Sequence, residues 1–433
     1  MMTRQETAFY ALEALKKAGA GKAACKVSTG RKDEFNVEAN KFSLLRTLFN
    51  NELSIKAIKD GRKGVVVTNK LDKDSVDEAV ANCIVMTSSA QPDDAEDIAE
   101  KGENKSFDQT CGGPNMDKLF SRTKEFVDQV GSEFSKIVLE GLVSDFNIAE
   151  TTYVNSNGVE FTSSSEFYDI QTMFSAKDGG KSSSFNGYFA RIASLDTPFM
   201  ELDMHRQLLD ESSKSLDPRM VDGKFVGKVL LTPPCYDMIW DALLENFLSD
   251  APLVEGTSRW KDALGTKVAD SKFTLRTVPL SSHIVAGERF TVDGFESRDM
   301  DIIRGGVLEN FALTLYGSRK TGKPRALNSA FNNIEVAAGD KPLEEIIRGI
   351  DRGILMNRFS GGSSGASGEI SGVAKNSFLI ENGKVTDALK ETMVSFDIVN
   401  VLANITAISS ERCMNGVIML PWCCFDGVTI SGK

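Results

Sequence analysis

The sequence predicts an α+β fold in two domains, and three observations carry that expectation. A chain of 433 residues exceeds what one hydrophobic core usually serves. Apolar residues at helical spacing (Phe9, Leu12, Leu15) open it. Further on, an Asn155-Ser156-Asn157-Gly158 turn separates two runs in which apolar and polar residues alternate, a strong short-range sign of an antiparallel hairpin. Helices together with a strand meander make an α+β chain.

Residues 3–19 form a helix that a Gly-Ala-Gly stop terminates. Alternation at Ala23, Cys25 and Val27, then at Phe35 and Val37, predicts strands, and Leu53–Val67 holds a hairpin that turns at Asp60-Gly61-Arg62-Lys63-Gly64. A second helix covers about 74–89. The acidic, polar stretch 91–115 is longer than most connections and predicts a surface excursion. A third helix over 117–135 precedes strands at 136–143, 149–154, 159–164 and 167–175, and a further strand at 183–192. A helix over 197–215 then leads to Leu216-Asp217-Pro218, which sets the boundary. Residues 1–219 form an N-terminal domain of mixed helix and sheet, and residues 220–433 a C-terminal, largely antiparallel β domain with a few helices. In the second domain, 228–232 is a strand, Pro233-Pro234 opens a helix over 236–248, and another helix covers 343–355.

The formal charge of −11, with a local excess at Asp93, Asp94, Glu96, Asp97 and Glu100, repels phosphate backbones. No Lys/Arg stripe with interleaved aromatics offsets it, so direct nucleic-acid binding is disfavoured. No uninterrupted apolar run reaches the roughly 18 residues of a bilayer span, and the first residues lack the apolar segment of a secretory signal. No membrane association and a cytoplasmic address are the expectations. Seven scattered cysteines without a C-x-x-C pair read as free thiols. Cys423 and Cys424 among them read as small apolar packing residues.

Several motif candidates fail on chemistry. Gly317-Ser318-Arg319-Lys320-Thr321-Gly322-Lys323 has the spacing of a phosphate loop, but Pro324 supplies neither the hydroxyl nor the N–H that such a loop needs. A basic hairpin turn is expected there. Gly361-Gly362-Ser363-Ser364-Gly365 fits a nucleophile elbow, yet polar chain follows where a helix is required, and both histidines precede the serine. His205 reads as a partly exposed helix residue and His283 as a strand-edge or loop residue; neither has a second histidine at metal-ligand spacing. Cys235, just before a helix, is a candidate for a lowered pKa but has no nearby histidine. No catalytic residue is assigned.

Four stretches in order carry a resemblance. They are Trp260-Lys261-Asp262-Ala263-Leu264-Gly265-Thr266-Lys267-Val268, Gly305-Gly306-Val307-Leu308, Gly361-Gly362 through Gly368-Glu369-Ile370-Ser371-Gly372, and Phe378-Leu379-Ile380-Glu381-Asn382-Gly383-Lys384-Val385. Together they resemble the TldD/PmbA family, historically the modulators of DNA gyrase. The resemblance implies a two-domain α+β subunit that pairs around a cavity in which unfolded peptides are cut. In the TldD branch an H-E-x-x-x-H helix and a cysteine hold zinc, and the glutamate activates the metal-bound water. The corresponding helix here, Cys235 through Phe247, carries Trp240, Asp241 and Glu245 but no histidine, and Trp240, Leu243 and Leu244 offer apolar surface instead. The chain therefore resembles the PmbA/TldE branch.

That branch implies no metal site and no cofactor in this chain, zinc only in a TldD-like partner, and either that catalytic subunit or a second copy as the partner. Gly361, Gly362, Gly365, Gly368 and Asn382 are the candidate contacts to an unfolded peptide. Two alternatives stand beside this one. The first is a homodimeric peptidase with a metal on Cys235, Asp241 and Glu245, although hard carboxylates suit zinc poorly. The second is a binding or scaffold protein without a peptidase partner.

Overall fold

The computed structural model describes residues 2–361 and 364–432. The first half builds an eight-stranded sheet, and all but one of its pairings are antiparallel. Its centre is the strand Lys22–Glu38, flanked by Lys41–Lys59 and Ile137–Asn155, with Glu160–Asp178 beyond. Sequence alternation suggested two strands at 136–154; there is one. The polar residues that interrupt the pattern find partners on neighbouring elements: Ser144 Oγ lies 2.6 Å from Thr123 Oγ1 of the helix Met116–Glu133, and Lys32 of the next strand donates to Asp145 at 3.1 Å. A register shift between Leu139 and Gly141 absorbs the remaining irregularity.

One face of this sheet is covered by helices. Arg4–Lys17 starts at a capping box in which the Thr3 hydroxyl accepts from the Glu6 amide and Glu6 accepts from the Thr3 amide. With Lys73–Ser89 it buries Leu12, Leu15, Val76 and Cys83 against Val27, Leu53 and Ile55. Further along, Met116–Glu133 and His205–Lys214 bury Leu119, Phe126 and Leu209 against Phe146, Ile170 and Phe174. The opposite face buries a small cluster, Ala24, Ile58, Tyr153 and Phe161, at one end and is polar elsewhere, with the pairs Arg46–Glu34, Lys32–Asp145 and Arg191–Asp169.

The second half is a thirteen-stranded sheet. Met419–Ser431 pairs antiparallel with both Lys224–Leu231 and Ile405–Met414. Cys423 and Cys424 are buried on this strand. The two halves share a core, in which Phe174 and Leu209 of the first pack in one cluster with Leu230, Trp422 and Cys424 of the second.

Four local expectations change. The stretch 91–115 is no free excursion: it buries Ala95, Ile98 and Ala99, and Lys105–Gln109 joins the first sheet parallel to Glu160–Asp178. Its acidic residues meet cations of both halves, Asp93 meeting Lys320 at 2.8 Å and Asp97 meeting Lys22 and Arg319. The segment 317–323 is not a hairpin turn. It lies in a helix, Leu315–Thr321, capped by Thr314 at its start and by Gly322 at φ 70° at its end. The predicted helix over 343–355 stops at Arg348, and Arg352–Met356 continues as a strand beside Lys224–Leu231. The predicted helix over 197–215 is split into a 3-10 turn, Phe199–Glu201, and the helix His205–Lys214, with Asp203 at φ 41° between them. Among the described residues no helix is long and apolar enough to cross a membrane.

Candidate functional site: an inter-sheet groove

The chain leaves the strand Lys224–Leu231 through Pro233–Cys235 into the helix Asp237–Leu243, which widens into a π-helical turn at Leu244–Leu248. Ile239, Ala242, Leu243 and Phe247 anchor one side of it in the core of the second half. The other side, Asp237, Trp240, Asp241 and Leu244, lines a cavity of about 700 Å³. The first sheet contributes Gln171, Thr172, Tyr188 and Phe189 to its wall, and the second half contributes Phe331, Cys413, Asn415 and Val417. An adjoining cavity of about 500 Å³ shares Gln171, Thr172, Gly187, Pro234 and Asp237, and adds Asn357, Arg358 and Phe359. The two form one groove between the sheets, beside the polar face of the first.

The electrostatics of the groove follow from its shape. Asp237 is open to solvent but stands in a concavity, and the protein around it raises its carboxyl pKa by desolvation, with a further push from Asp241 one turn away. The Trp240 indole N–H donates to the Phe331 carbonyl, which fixes the ring on the wall. Burial also raises the Tyr188 phenol, whose oxygen has no hydrogen-bond partner, and Asp203 and Cys413 add to that shift. The Cys413 thiol lies against the Asp203 carboxylate, and burial pushes the thiol up. Such a thiol is no ready nucleophile.

His205 corrects an expectation. It is fully buried rather than partly exposed, stacked between Phe126 and Tyr188 with ring centroids 4.4 Å from each. Both ring nitrogens are engaged: Nδ1 is 2.8 Å from the Phe199 carbonyl, so it carries the proton, and Nε2 accepts from the Thr172 hydroxyl at 3.0 Å. Burial lowers its pKa to about 3. The signal was present in the sequence, because His205, Leu208, Leu209 and Ser212 share one helical stripe and all four are buried. His283 is exposed in a loop.

The donor set does not fit a zinc ion. The helix offers no imidazole. Cys235 is 3% exposed, and burial pushes its thiol up rather than down. Asp241 and Glu245 are both exposed. Among the described residues no three His, Cys, Asp or Glu side chains converge at metal-binding distance. The non-histidine metal site on Cys235, Asp241 and Glu245 is therefore not assembled, because the thiol faces the core while the carboxylates face solvent.

The remaining predicted contacts lie nearby rather than on the groove wall. Arg358–Gly361 pairs antiparallel with Glu369–Lys375, with Gly361 opposite Gly372, so the stretch read as flexible polar chain is largely a hairpin. Gly362 falls outside the described residues. Gly365 accepts from the Gly368 amide at 2.8 Å, and Gly368, at φ 79°, accepts from the Ile398 amide at 2.9 Å. Ser364 ties this tip to the helix through Asn246, 2.6 Å away. Asn382 sits in the turn between Phe378–Glu381 and Lys384–Ala388 and donates its amide to the Asp351 carbonyl. Gly361, Gly365, Gly368 and Asn382 line neither cavity. Sequence reasoning missed Thr172, Tyr188, Asn357, Cys413 and Asn415, which no local motif joins.

Residues 223–432 match the family described as the PmbA/TldA metallopeptidase C-terminal domain. The chain is similar to a metalloprotease PmbA homolog of Haemophilus influenzae, 22% identical over 98% of this chain and 95% of that protein. It is also similar to a zinc metalloprotease TldD homolog of Saccharolobus solfataricus, 23% identical over 38% of this chain and 40% of that one. Its fold superposes on the crystal structure of TldE from Thermococcus kodakarensis with a TM-score of 0.85, at 19% identity, covering 98% of this chain and 100% of that chain.

Proposed function

We propose that the chain, whose residues 223–432 match the C-terminal domain of the PmbA/TldD family, is a member of that family and the PmbA/TldE-like subunit of a TldD/TldE-type metallopeptidase complex. In this reading it holds no zinc, shapes the cavity wall and binds unfolded peptide, while a TldD-like partner supplies the metal and the cut. The complex works in the cytoplasm. One observation carries the reading: the helix Asp237–Leu243, which by the family resemblance corresponds to the zinc-binding helix of the other branch, faces an open groove with carboxylates and an indole and carries no imidazole. The groove is roomy enough for an extended chain, and the strand Arg358–Gly361 beside it pairs on one side only among the described residues. A free strand edge can take an extended peptide as an added strand.

The test is reconstitution. The purified chain alone is expected to contain no stoichiometric zinc and to leave an unfolded peptide intact, and addition of the TldD-like protein of the same cell starts cleavage. Stoichiometric zinc and cleavage by the chain alone overturn the proposal. Gly365 has open space around its Cα, the nearest atom to an added Cβ being Ser367 Oγ at 3.8 Å. Gly365→Val therefore leaves the melting temperature unchanged and slows peptide processing by the complex; unchanged processing removes the loop from the binding surface.

A further inference from the structure

We propose that the larger cavity of the groove is a pocket for a basic side chain of the bound peptide, with Asp237 and Asp241 receiving its lysine ammonium or arginine guanidinium. The inference rests on the peptide-binding reading above and adds a substrate preference to it.

Asp237 and Asp241 stand four residues apart on one helical face, and both are exposed to the cavity. Like charges at this spacing repel, so the pair costs stability unless a cation answers it. Acidic groups on the polar face of the first sheet have one: Asp169 meets Arg191 at 2.8 Å and Asp145 meets Lys32 at 3.1 Å. Among the described residues neither Asp237 nor Asp241 forms an ion pair, and the cavity wall carries no lysine or arginine. The basic residue that lines the groove, Arg358, lies on the adjoining cavity and donates to the Phe185 carbonyl at 2.8 Å.

A second, independent observation points to a donor-bearing ligand. One polar side chain of the larger cavity's wall has an oxygen without a hydrogen-bond partner, Tyr188 at 7% exposure, and Asn357 at 3% has another on the adjoining cavity. An unpaired buried oxygen costs about 1–3 kcal/mol, and an ammonium or guanidinium brings the hydrogens that would satisfy it. The rest of the wall suits the stem of the same side chain. Phe189, Trp240, Leu244 and Phe331 offer aliphatic and aromatic surface for the methylenes of lysine or arginine, with ring faces that attract a cation. An apolar sleeve ending in two unneutralised carboxylates selects a long basic side chain over an acidic or short polar one.

The experiment uses the full chain, alone and with its TldD-like partner, and fluorescently labelled unstructured peptides identical except for a central Lys, Arg, Gln or Glu. Anisotropy titrations are expected to show the Lys and Arg peptides binding about tenfold more tightly than the Gln peptide, with Glu weakest. The advantage shrinks as salt rises. In Asp237→Asn/Asp241→Asn the Lys-to-Gln ratio falls to about one, with an unchanged circular-dichroism melting curve showing that the fold is kept. Equal binding of all four peptides by the native chain, or a persistent ratio in the folded double variant, overturns this inference while leaving peptide binding in place. Failure of every peptide to bind overturns the peptide-binding reading and this inference with it.

Discussion

The Thr172 hydroxyl donates to Nε2 of His205 at 3.0 Å and thereby holds a neutral imidazole directly behind the groove wall. Because the folded pKa of about 3 lies below the ordinary value near 6.5, the unfolded chain takes up a proton that the native chain refuses. The stability that His205 contributes is full above pH 6.5 and is lost as pH falls toward 3. The slope is up to about 1.4 kcal/mol per pH unit. Urea unfolding of the native chain and of His205→Gln at several pH values checks this: the gap between them narrows below pH 6.5.

Glu211 runs the other way. It accepts from Asn357 Nδ2 at 2.6 Å and from Gln207 Nε2 at 2.8 Å, and burial raises its pKa to about 7. A raised carboxyl pKa gives stability that is present below the unfolded value near 4.5 and is lost as pH rises through 7. Glu211→Gln keeps an uncharged group there, so it is expected to flatten the decline between pH 5 and 8 and to gain about 1–3 kcal/mol over the native chain at pH 8. Thermal melts across that range report it.

Gly416 sits where the two halves meet. Its φ is 85°, and an added Cβ would lie 1.9 Å from the Arg191 carbonyl oxygen, while Arg191 donates its amide to the Asn415 carbonyl at 2.8 Å. Gly416→Ala must both strain the backbone and push the halves apart, and a loss of more than about 2 kcal/mol is expected. Denaturant unfolding measures it, with Gly365→Ala as the near-neutral control. Because Asn415 lines the groove, the same variant is also expected to weaken the proposed peptide binding.

The acidic strap should be sensitive to charge. Burial alone would raise the Asp97 pKa, but the hydrogen bond from Lys22, the Ile98 amide and the charge of Arg319 outweigh it and hold the carboxyl below its usual range. Its contribution is therefore present above about pH 4 and lost on acidification below that. Asp97→Ala removes the contact shared by Lys22 and Arg319, and a loss of about 1–2 kcal/mol that shrinks in high salt is expected, read from melting temperature against ionic strength.

Local signals made much of the fold legible. Thr3 and Glu6 cap the first helix, Asp60-Gly61 and Asn155 through Gly158 turn their hairpins, and the helices at 73–89 and 116–133 match the apolar period within a residue or two. Where the local pattern misled, a distant partner had intervened. Asp145 stays inside a strand because Lys32 reaches it, and the 91–115 stretch is fastened because cations from both halves neutralise it.

By itself the sequence determined that the helix after Pro233-Pro234 carries no imidazole, and therefore which branch of the family it resembles, since ligand identity is a property of residues and needs no coordinates. Only the tertiary structure decided that Asp237 and Asp241 of that helix face Thr172 and Tyr188 of the first sheet and Cys413 and Asn415 of the last hairpin across a groove. These residues are far apart in the chain, and hydrophobic period records which face of an element is buried, not which distant element it is buried against.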